Sequence, residues 1–346
     1  MEKKNIYNYS RTSLEQYFLS IGSEKFRATQ VFEGIYRQRV KSFLSISNLK
    51  NEFKLKLEEE FQIPSLTVAK VQTSSDETKK YLFRLFDGNL IETVLMKHNY
   101  GYSVCVTTQA GCNMGCSFCA SGQVKKKRDL QTAEMVLQVL EIDNYLKLEN
   151  KRVSHVVIMG IGEPFDNYDN VIEFIKIIND DKALEIGSRH ITLSTCGIVP
   201  KIYEFSELPL QVNLAVSLHF PNNEKRSKYM KINKKYPLVE LFVALRHYYQ
   251  KTNRRITFEY ILLDGINDSL EDANELIELI KGMNAYVNLI PYNETGIFRR
   301  SNEKRMRTFF DYLIKNKVNA IIRKEQGHDI DAACGQLRLK ELQCKD

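Results

Sequence analysis

Three cysteines, Cys112, Cys116 and Cys119, crowd the stretch 111–122, "GCNMGCSFCASG", at a C-x3-C-x2-C spacing. Thiolates grouped this tightly commonly hold metal. Structural zinc takes four ligands, often as two paired C-x2-C knuckles. Here the fourth would have to come from far away in the chain, for instance from His155 or His219. A [4Fe–4S] cluster is held by thiolates and can be held by only three, leaving one iron open to chelate a substrate or cofactor. Gly111, Gly115, Ala120 and Gly122 supply the small residues such a loop needs to wrap it. Spacing and position together favour the cluster over zinc.

The elements around the loop suggest what positions it. From residue 103 onward, strand-like and helix-like stretches alternate. The strands are "SVCVTTQ", "HVVIMGI", "HITLSTC", "VNLAVSLH", "RITFEYILL" and "YVNLIPYN"; helices are expected over 130–148, 167–179, 238–252 and 269–281. Ser269 and Asp272 form a capping box for the last of these. Six β/α repeats imply a parallel sheet with crossover helices, as a barrel or a doubly wound sheet. The polar motifs collect at the C-terminal ends of the strands, where β/α barrels build active sites. The cysteine loop follows the first, "GIGEP" the second, and "STCG", "SLH" and "PYN" the third, fourth and sixth. Upstream, residues 10–61 carry two or three amphipathic helices, and "TVAKVQT", "KKYLFRLF" and "NLIETVLM" alternate as strands with a turn at Asp87–Gly88.

Composition bounds the setting. The 346 residues hold 43% hydrophobic and 27% charged side chains, with a net charge of +7. That is ordinary for a soluble globular protein and only mildly basic. No apolar run approaches the ~18 residues of a membrane helix, and "MEKKNIYNYS" lacks the apolar core of a secretory signal. A cytoplasmic protein is the expectation, with seven cysteines serving as ligands, catalysts or fillers rather than structural disulfides. Among the single cysteines, alternation turns Cys105 inward with Ser103, Thr107 and Gln109, while Val104 and Val106 face the outer helices. Cys334 sits in "GHDIDAACGQL" beside small residues, Cys196 reads as a buried filler, and Cys344 as a tail thiol.

The C-x3-C-x2-C loop after the first barrel strand resembles that of the radical S-adenosylmethionine (SAM) superfamily, in which the open iron holds the amino and carboxylate groups of SAM. Gly160, Gly162 and Glu163 would then offer close backbone approach and a carboxylate for the SAM amine. Ser194, Ser217, Leu218 and His219 would serve the ribose or carboxylate, and Asn293 the adenosyl end. In order, "IETVLM", "SVCVTTQAGCNMGCSFCASG", "GIGEPFDN", "ITLSTCGIVP", "VSLH", "LIPYN" and "GHDIDAACGQL" resemble the bacterial radical-SAM RNA adenine C2 methyltransferases over about residues 10–340. Departures are Cys196, where a serine is usual, and "GQVKKKR" after the loop. The resemblance implies an α/β fold: a partial (β/α)6 barrel with a small N-terminal helical module and β-hairpin region. The divisions expected are an accessory region over 1–97, a barrel over 98–327 and a C-terminal segment over 328–346.

The same resemblance implies the chemistry. Family members methylate an adenosine of 23S rRNA, and many also the tRNA adenosine next to the anticodon. Adenine C2 is electron-poor and does not attack an electrophilic methyl group. Two SAM molecules are therefore implied: one methylates Cys334 by displacement, and the second yields the radical that takes a hydrogen from that methyl. The methylene radical adds to C2, and attack by Cys105 on the Cys334 sulfur releases the product and leaves a Cys105–Cys334 disulfide. A cytosolic electron donor and a disulfide reductant are implied as partners, and no membrane. Glu92 is the implied proton acceptor, and alternation sets it beside Leu90, Val94 and Met96, surroundings that favour a proton acceptor. For RNA, the basic stretches are Lys125–Arg128, "RRSNEKRMR" over 299–307, and Arg37, Arg39 and Lys41. The target base is expected inside the barrel, with phosphates held outside. A C8 methyltransferase of the same ribosomal site, and a non-enzymatic zinc-bound RNA-binding protein, stand as alternatives.

Overall fold

The computed structural model describes residues 3–294, 297–327 and 329–330; Cys334 and Cys344 lie outside the described residues. Short strands β1 (Lys4–Asn5) and β2 (Phe61–Gln62) pair in parallel and bracket three helices, α1 (Arg11–Ser20), α2 (Phe26–Phe32) and α3 (Asn51–Glu60). The Ser10 side chain caps α1 by accepting from the Ser13 N–H, and Gly22, at φ +74°, ends the turn after it. Leu14, Phe18, Val31, Phe32 and Phe61 face inward and join the main core. Polar contacts fix this module to the barrel. The Ser10 N–H and Ser13 hydroxyl donate to Glu173, Arg11 pairs with Asp180 at 2.9 Å, and Asn8 accepts from the Ala133 N–H.

Among the described residues, one ten-stranded sheet carries the rest. Strands β3 (Thr67–Thr73), β4 (Lys79–Arg84), β5 (Leu90–His98) and β6 (Gly101–Cys105) are antiparallel neighbours. From β6 the sheet turns parallel through β7 (Val153–Ile158), β8 (Ile191–Thr195), β9 (Asn213–Ser217), β10 (Ile256–Leu262), β11 (Ala285–Pro291) and β12 (Asn319–Ile322). The connections hold α4 (Thr132–Lys147), α5 (Tyr168–Asn179), α6 (Val199–Ser206), α7 (Asn223–Tyr229), α8 (Ile232–Lys235), α9 (Leu238–Thr252), α10 (Leu270–Ile280) and α11 (Glu303–Lys315). This is the expected partial barrel, its six β/α units running from β6 to α11. The antiparallel strands extend its sheet rather than standing apart from it.

Periodicity locates the long elements and misses the short ones. The capping box of α10 forms, with Ser269 accepting from the Asp272 N–H at 3.1 Å. The basic stretch 299–307 instead runs into α11, whose Met306, Phe309 and Leu313 form a buried stripe between the charges. Strand β12, four residues long and half exposed, has too little pattern to read.

Candidate active site

A cavity of about 560 Å3 opens among the C-terminal ends of the parallel strands. Cys112, Cys116 and Cys119 all line it, with Gly160, Gly162, Glu163, Ser194, Ser217, His219 and Asn293 around them. The cysteine loop is held by its own backbone: Cys112 N–H donates to Val124 at 3.0 Å, and Lys127 N–H to Ala110 at 2.8 Å. Gly111 sits at φ +100°, and a Cβ there would stand 2.4 Å from the Lys125 carbonyl oxygen. The loop is also tied to the end of α7, by Ser117 N–H donating to the Tyr229 carbonyl at 3.0 Å. Burial pushes the Cys112 thiol up to about 11 and Cys116 higher still. Thiolates in such a place need a cation beside them.

The groups expected to meet SAM are fixed by backbone. Glu163 is buried, and its two oxygens accept from the N–H groups of Phe165 at 3.0 Å and Cys196 at 2.7 Å. Burial raises its pKa, against the lowering effect of those bonds. Gly162, at φ +113°, leaves no room for a Cβ, which would fall 2.7 Å from Gln109. The Ser194 and Ser217 hydroxyls lie 3.4 Å apart across neighbouring strands. His219 adopts a left-handed backbone at φ +58°, and its Nδ1 accepts from Ile261 N–H at 3.2 Å. Burial lowers its pKa to about 3, so the ring is neutral and its Nε2 carries the proton. Leu218 turns away: its side chain is in the core, its N–H donates to Val216 and Glu259, and its carbonyl accepts from Arg226. His155 also stands apart, stacked on His190 and meeting Tyr100 edge to face.

Cys105 lines the same cavity, packed with Val94, Met96 and Met159. Glu92 does not meet the apolar surroundings expected from alternation alone. The Lys80 ammonium, fully buried on β4, pairs with it at 2.8 Å. The antiparallel register sets Leu82, not Lys80, opposite Glu92, so the pair is diagonal and invisible to single-strand alternation. Two further groups escaped the sequence reading. Glu259 is buried in the cavity wall between Ser217 and Asn288 on the flanking strands. Its one signal is a lone acid inside "ITFEYILL". Arg226, fully buried beneath the cysteine loop, gave none.

Comparison with known proteins bears on this arrangement. The radical SAM superfamily profile matches residues 106–280, and that of the ribosomal RNA large subunit methyltransferase N-terminal domain matches residues 4–63. A Streptococcus suis protein named "Probable dual-specificity RNA methyltransferase RlmN" is 54% identical over 98% of this chain and 94% of its own. An Enterococcus faecalis protein of the same name is 53% identical over 99% and 98%. The chain belongs to the RlmN family of radical SAM methyltransferases. The crystal structure of a radical SAM methyltransferase from Sphaerobacter thermophilus superposes with a TM-score of 0.89 at 38% identity, covering 96% of this chain and 98% of that one.

A radical SAM methyltransferase uses a [4Fe–4S] cluster and SAM, and the site fits both. Three half-buried thiols line one cavity large enough for a cluster with SAM, in a loop where a Cβ at Gly111 or Gly122 would meet backbone at 2.4 or 2.9 Å. The non-enzymatic zinc alternative gives way to the family, whose members are radical SAM methyltransferases.

The basic stretches of this RlmN-family chain are less open than their sequence suggests. Lys126 pairs with Asp129 and Asp166, and Arg128 with Asp87 and, through two bonds, Glu134. In the second stretch Arg300 pairs with Glu325, Arg305 with Asp264 and Asp268, and Arg307 with Asp311. Arg39 reaches the buried Asp143, and Arg37 reaches Glu185. Charge counting cannot see carboxylates that folding brings from elsewhere. Lys125 and Lys127 remain exposed beside the rim.

Proposed function

We propose that this chain methylates C2 of an adenosine in 23S rRNA and in tRNA, through a methyl group carried on Cys334. The observation that carries the reading is the second wall of the cavity. It brings the thiol of Cys105, packed with Val94 and Met96, into the same cavity as Cys112, Cys116 and Cys119. Ile330 lines that cavity too, on a segment fastened by Gly327 N–H to Asp76 at 2.9 Å and Ser75 N–H to Asp329 at 2.9 Å. Cys334 follows Ile330 by four residues, a reach of at most about 14 Å.

The bound cofactors supply the methyl group and the organic radical. The protein supplies the rest. Glu163 and His219 orient SAM from its amine and ribose sides, and Gly162 lets the backbone approach it. Cys334 accepts the methyl through its sulfur and carries it to the base. Glu92 takes the C2 proton, with Lys80 holding its carboxylate in place. The Cys105 thiolate attacks the Cys334 sulfur, frees the methylated adenosine and leaves a disulfide. A cytosolic electron donor and a dithiol reductant return the enzyme to its starting state. No helix among the described residues is long and apolar enough to cross a membrane.

The test compares two single variants on a denaturing gel after nuclease digestion, with mass spectrometry of the Cys334 peptide. Cys105→Ala should accumulate an RNA adduct on Cys334 that survives reducing agents. Cys334→Ala should form none and carry no methyl group. Equal, adduct-free inactivity with intact cluster in both would overturn the roles. Recovery of 8-methyladenosine instead of 2-methyladenosine would overturn the regiochemistry.

A further inference from the structure

Arg226 is fully buried, and each partner it has is neutral. Its Nε donates to the Leu218 carbonyl at 3.2 Å and Nη1 to Asn233 Oδ1 at 2.9 Å. Nη2 donates to the carbonyls of Cys196 at 2.7 Å and Ser217 at 3.3 Å. No carboxylate pairs with it among the described residues. A guanidinium out of water without an anion is strongly unfavourable, and selection of a cation here needs a compensating charge. Burial lowers its pKa to about 10, which leaves it charged at neutral pH. Cys196, whose carbonyl Nη2 holds, packs in one cluster with Phe118 and the loop cysteines Cys116 and Cys119. Its helix, α7, is the one whose last residue, Tyr229, holds the cysteine loop through Ser117.

We propose that Arg226 is the built-in counter-charge of the iron–sulfur cluster, a positioning residue that favours its reduced state. Three thiolates around a doubly positive [4Fe–4S] core leave one net negative charge. One-electron reduction by the cell's donor adds a second and breaks no bond. A fixed positive charge beneath the loop stabilises the product of that step more than the reactant. The reduction that starts the radical chemistry is thereby made easier by a residue that touches no substrate. The same guanidinium ties the ends of β8 and β9, so a purely structural role is the rival reading. Lysine separates the two, because it keeps the charge and cannot reproduce the planar fork. This inference rests on the cluster lying on Cys112, Cys116 and Cys119, and iron content tests that separately.

Wild-type protein, Arg226→Lys and Arg226→Gln would be reconstituted anaerobically, assayed for iron, and titrated with dithionite-poised mediators while the reduced-cluster EPR signal is followed. Arg226→Gln should show at least a tenfold lower ratio of reduced to oxidised cluster at the wild-type midpoint, a negative shift of about 59 mV or more for one electron. Arg226→Lys should stay near wild type. An unshifted Arg226→Gln, or equal shifts in both variants, would overturn the proposal. If Arg226→Gln holds no iron, full iron in Arg226→Lys supports the counter-charge, and loss of iron from both assigns the residue to fork geometry alone. Wild-type protein without iron would overturn the cluster assignment instead.

Discussion

The two walls of the cavity are built on opposite principles. On the cofactor wall, at the ends of β7 to β10, the polar side chains are held by backbone: Glu163 by two N–H groups and His219 by Ile261, while Arg226, buried outside the cavity lining, is held by three carbonyls. On the facing wall, from β5 and β6, Val94, Met96 and Cys105 present carbon and sulfur, and the charged pair Lys80–Glu92 lies fully buried. The first wall holds its polar groups in one arrangement. The second keeps water from a thiol. A parallel β/α rim suits the first task, because each strand end delivers loop backbone to the site. Antiparallel strands suit the second, because their side chains stand in rows with no intervening loop.

The sharpest way to break this division is at the cluster. Cys116→Ala should abolish bound iron and reductive cleavage of SAM entirely, because it removes one of the three thiols of the cysteine loop. Met96→Ala, on the facing wall, should keep full iron and SAM cleavage and lose only methyl transfer. Iron content and 5′-deoxyadenosine release check both, and equal iron loss in the two variants would erase the distinction between walls.

Next in size is the buried pair. Lys80→Met removes the ammonium facing Glu92 and should destabilise the protein by about 3 kcal/mol, the usual consequence of breaking a buried ion pair from one side. Adding Glu92→Leu should recover most of that stability without recovering methylation. Denaturant unfolding read beside an activity assay checks it. A double variant that methylates RNA would remove Glu92 from the chemistry.

These two regions also differ in how far they could be read from sequence. The cofactor wall was legible because its residues sit in short runs at strand ends: "GCNMGCSFC", "GIGEP", "SLH". Local spacing and local structure coincide there. The facing wall was half legible: alternation placed Cys105 correctly, while Lys80 belongs to another strand and enters only through sheet register. Arg226 and Glu259 were illegible for the same reason, since a charged residue in a sequence reads as solvated until its neighbours are known. For the basic stretches, what the charge count failed to show is that Lys126 and Arg128 already pair with carboxylates.

That failure gives a smaller effect to measure. Lys125→Ala with Lys127→Ala should lower the slope of log affinity for RNA against log salt by about 1 per lysine, with no loss of stability. Lys126→Ala with Arg128→Ala should leave the slope nearly unchanged and lower the melting temperature, because those side chains bind Asp166 and Glu134. Salt titrations of binding and a thermal melt separate the pairs. Equal slopes for both double variants would mean the ion pairs open when RNA arrives.

The smallest effect concerns His219, where the cofactor wall meets its own limit. Its native pKa is lowered by burial from 6.5 to about 3. Between those values the unfolded chain binds a proton that the native state refuses, so this residue makes stability rise with pH across that window and fall as pH drops below 6.5. His219→Asn is the suitable partner for comparison. Asparagine tolerates the left-handed backbone at φ +58°, can accept from Ile261 N–H, and has no proton to gain. The stability of wild type relative to His219→Asn should therefore decline steadily from pH 7.5 to pH 5.5. Melting temperatures of both proteins at each pH, with the cluster intact, provide the measurement. A difference that stays constant would mean that His219 takes up its proton in the folded state. Water would then reach the cofactor wall, and the contrast between a fixed polar wall and a dry sulfur wall would fail at this ring.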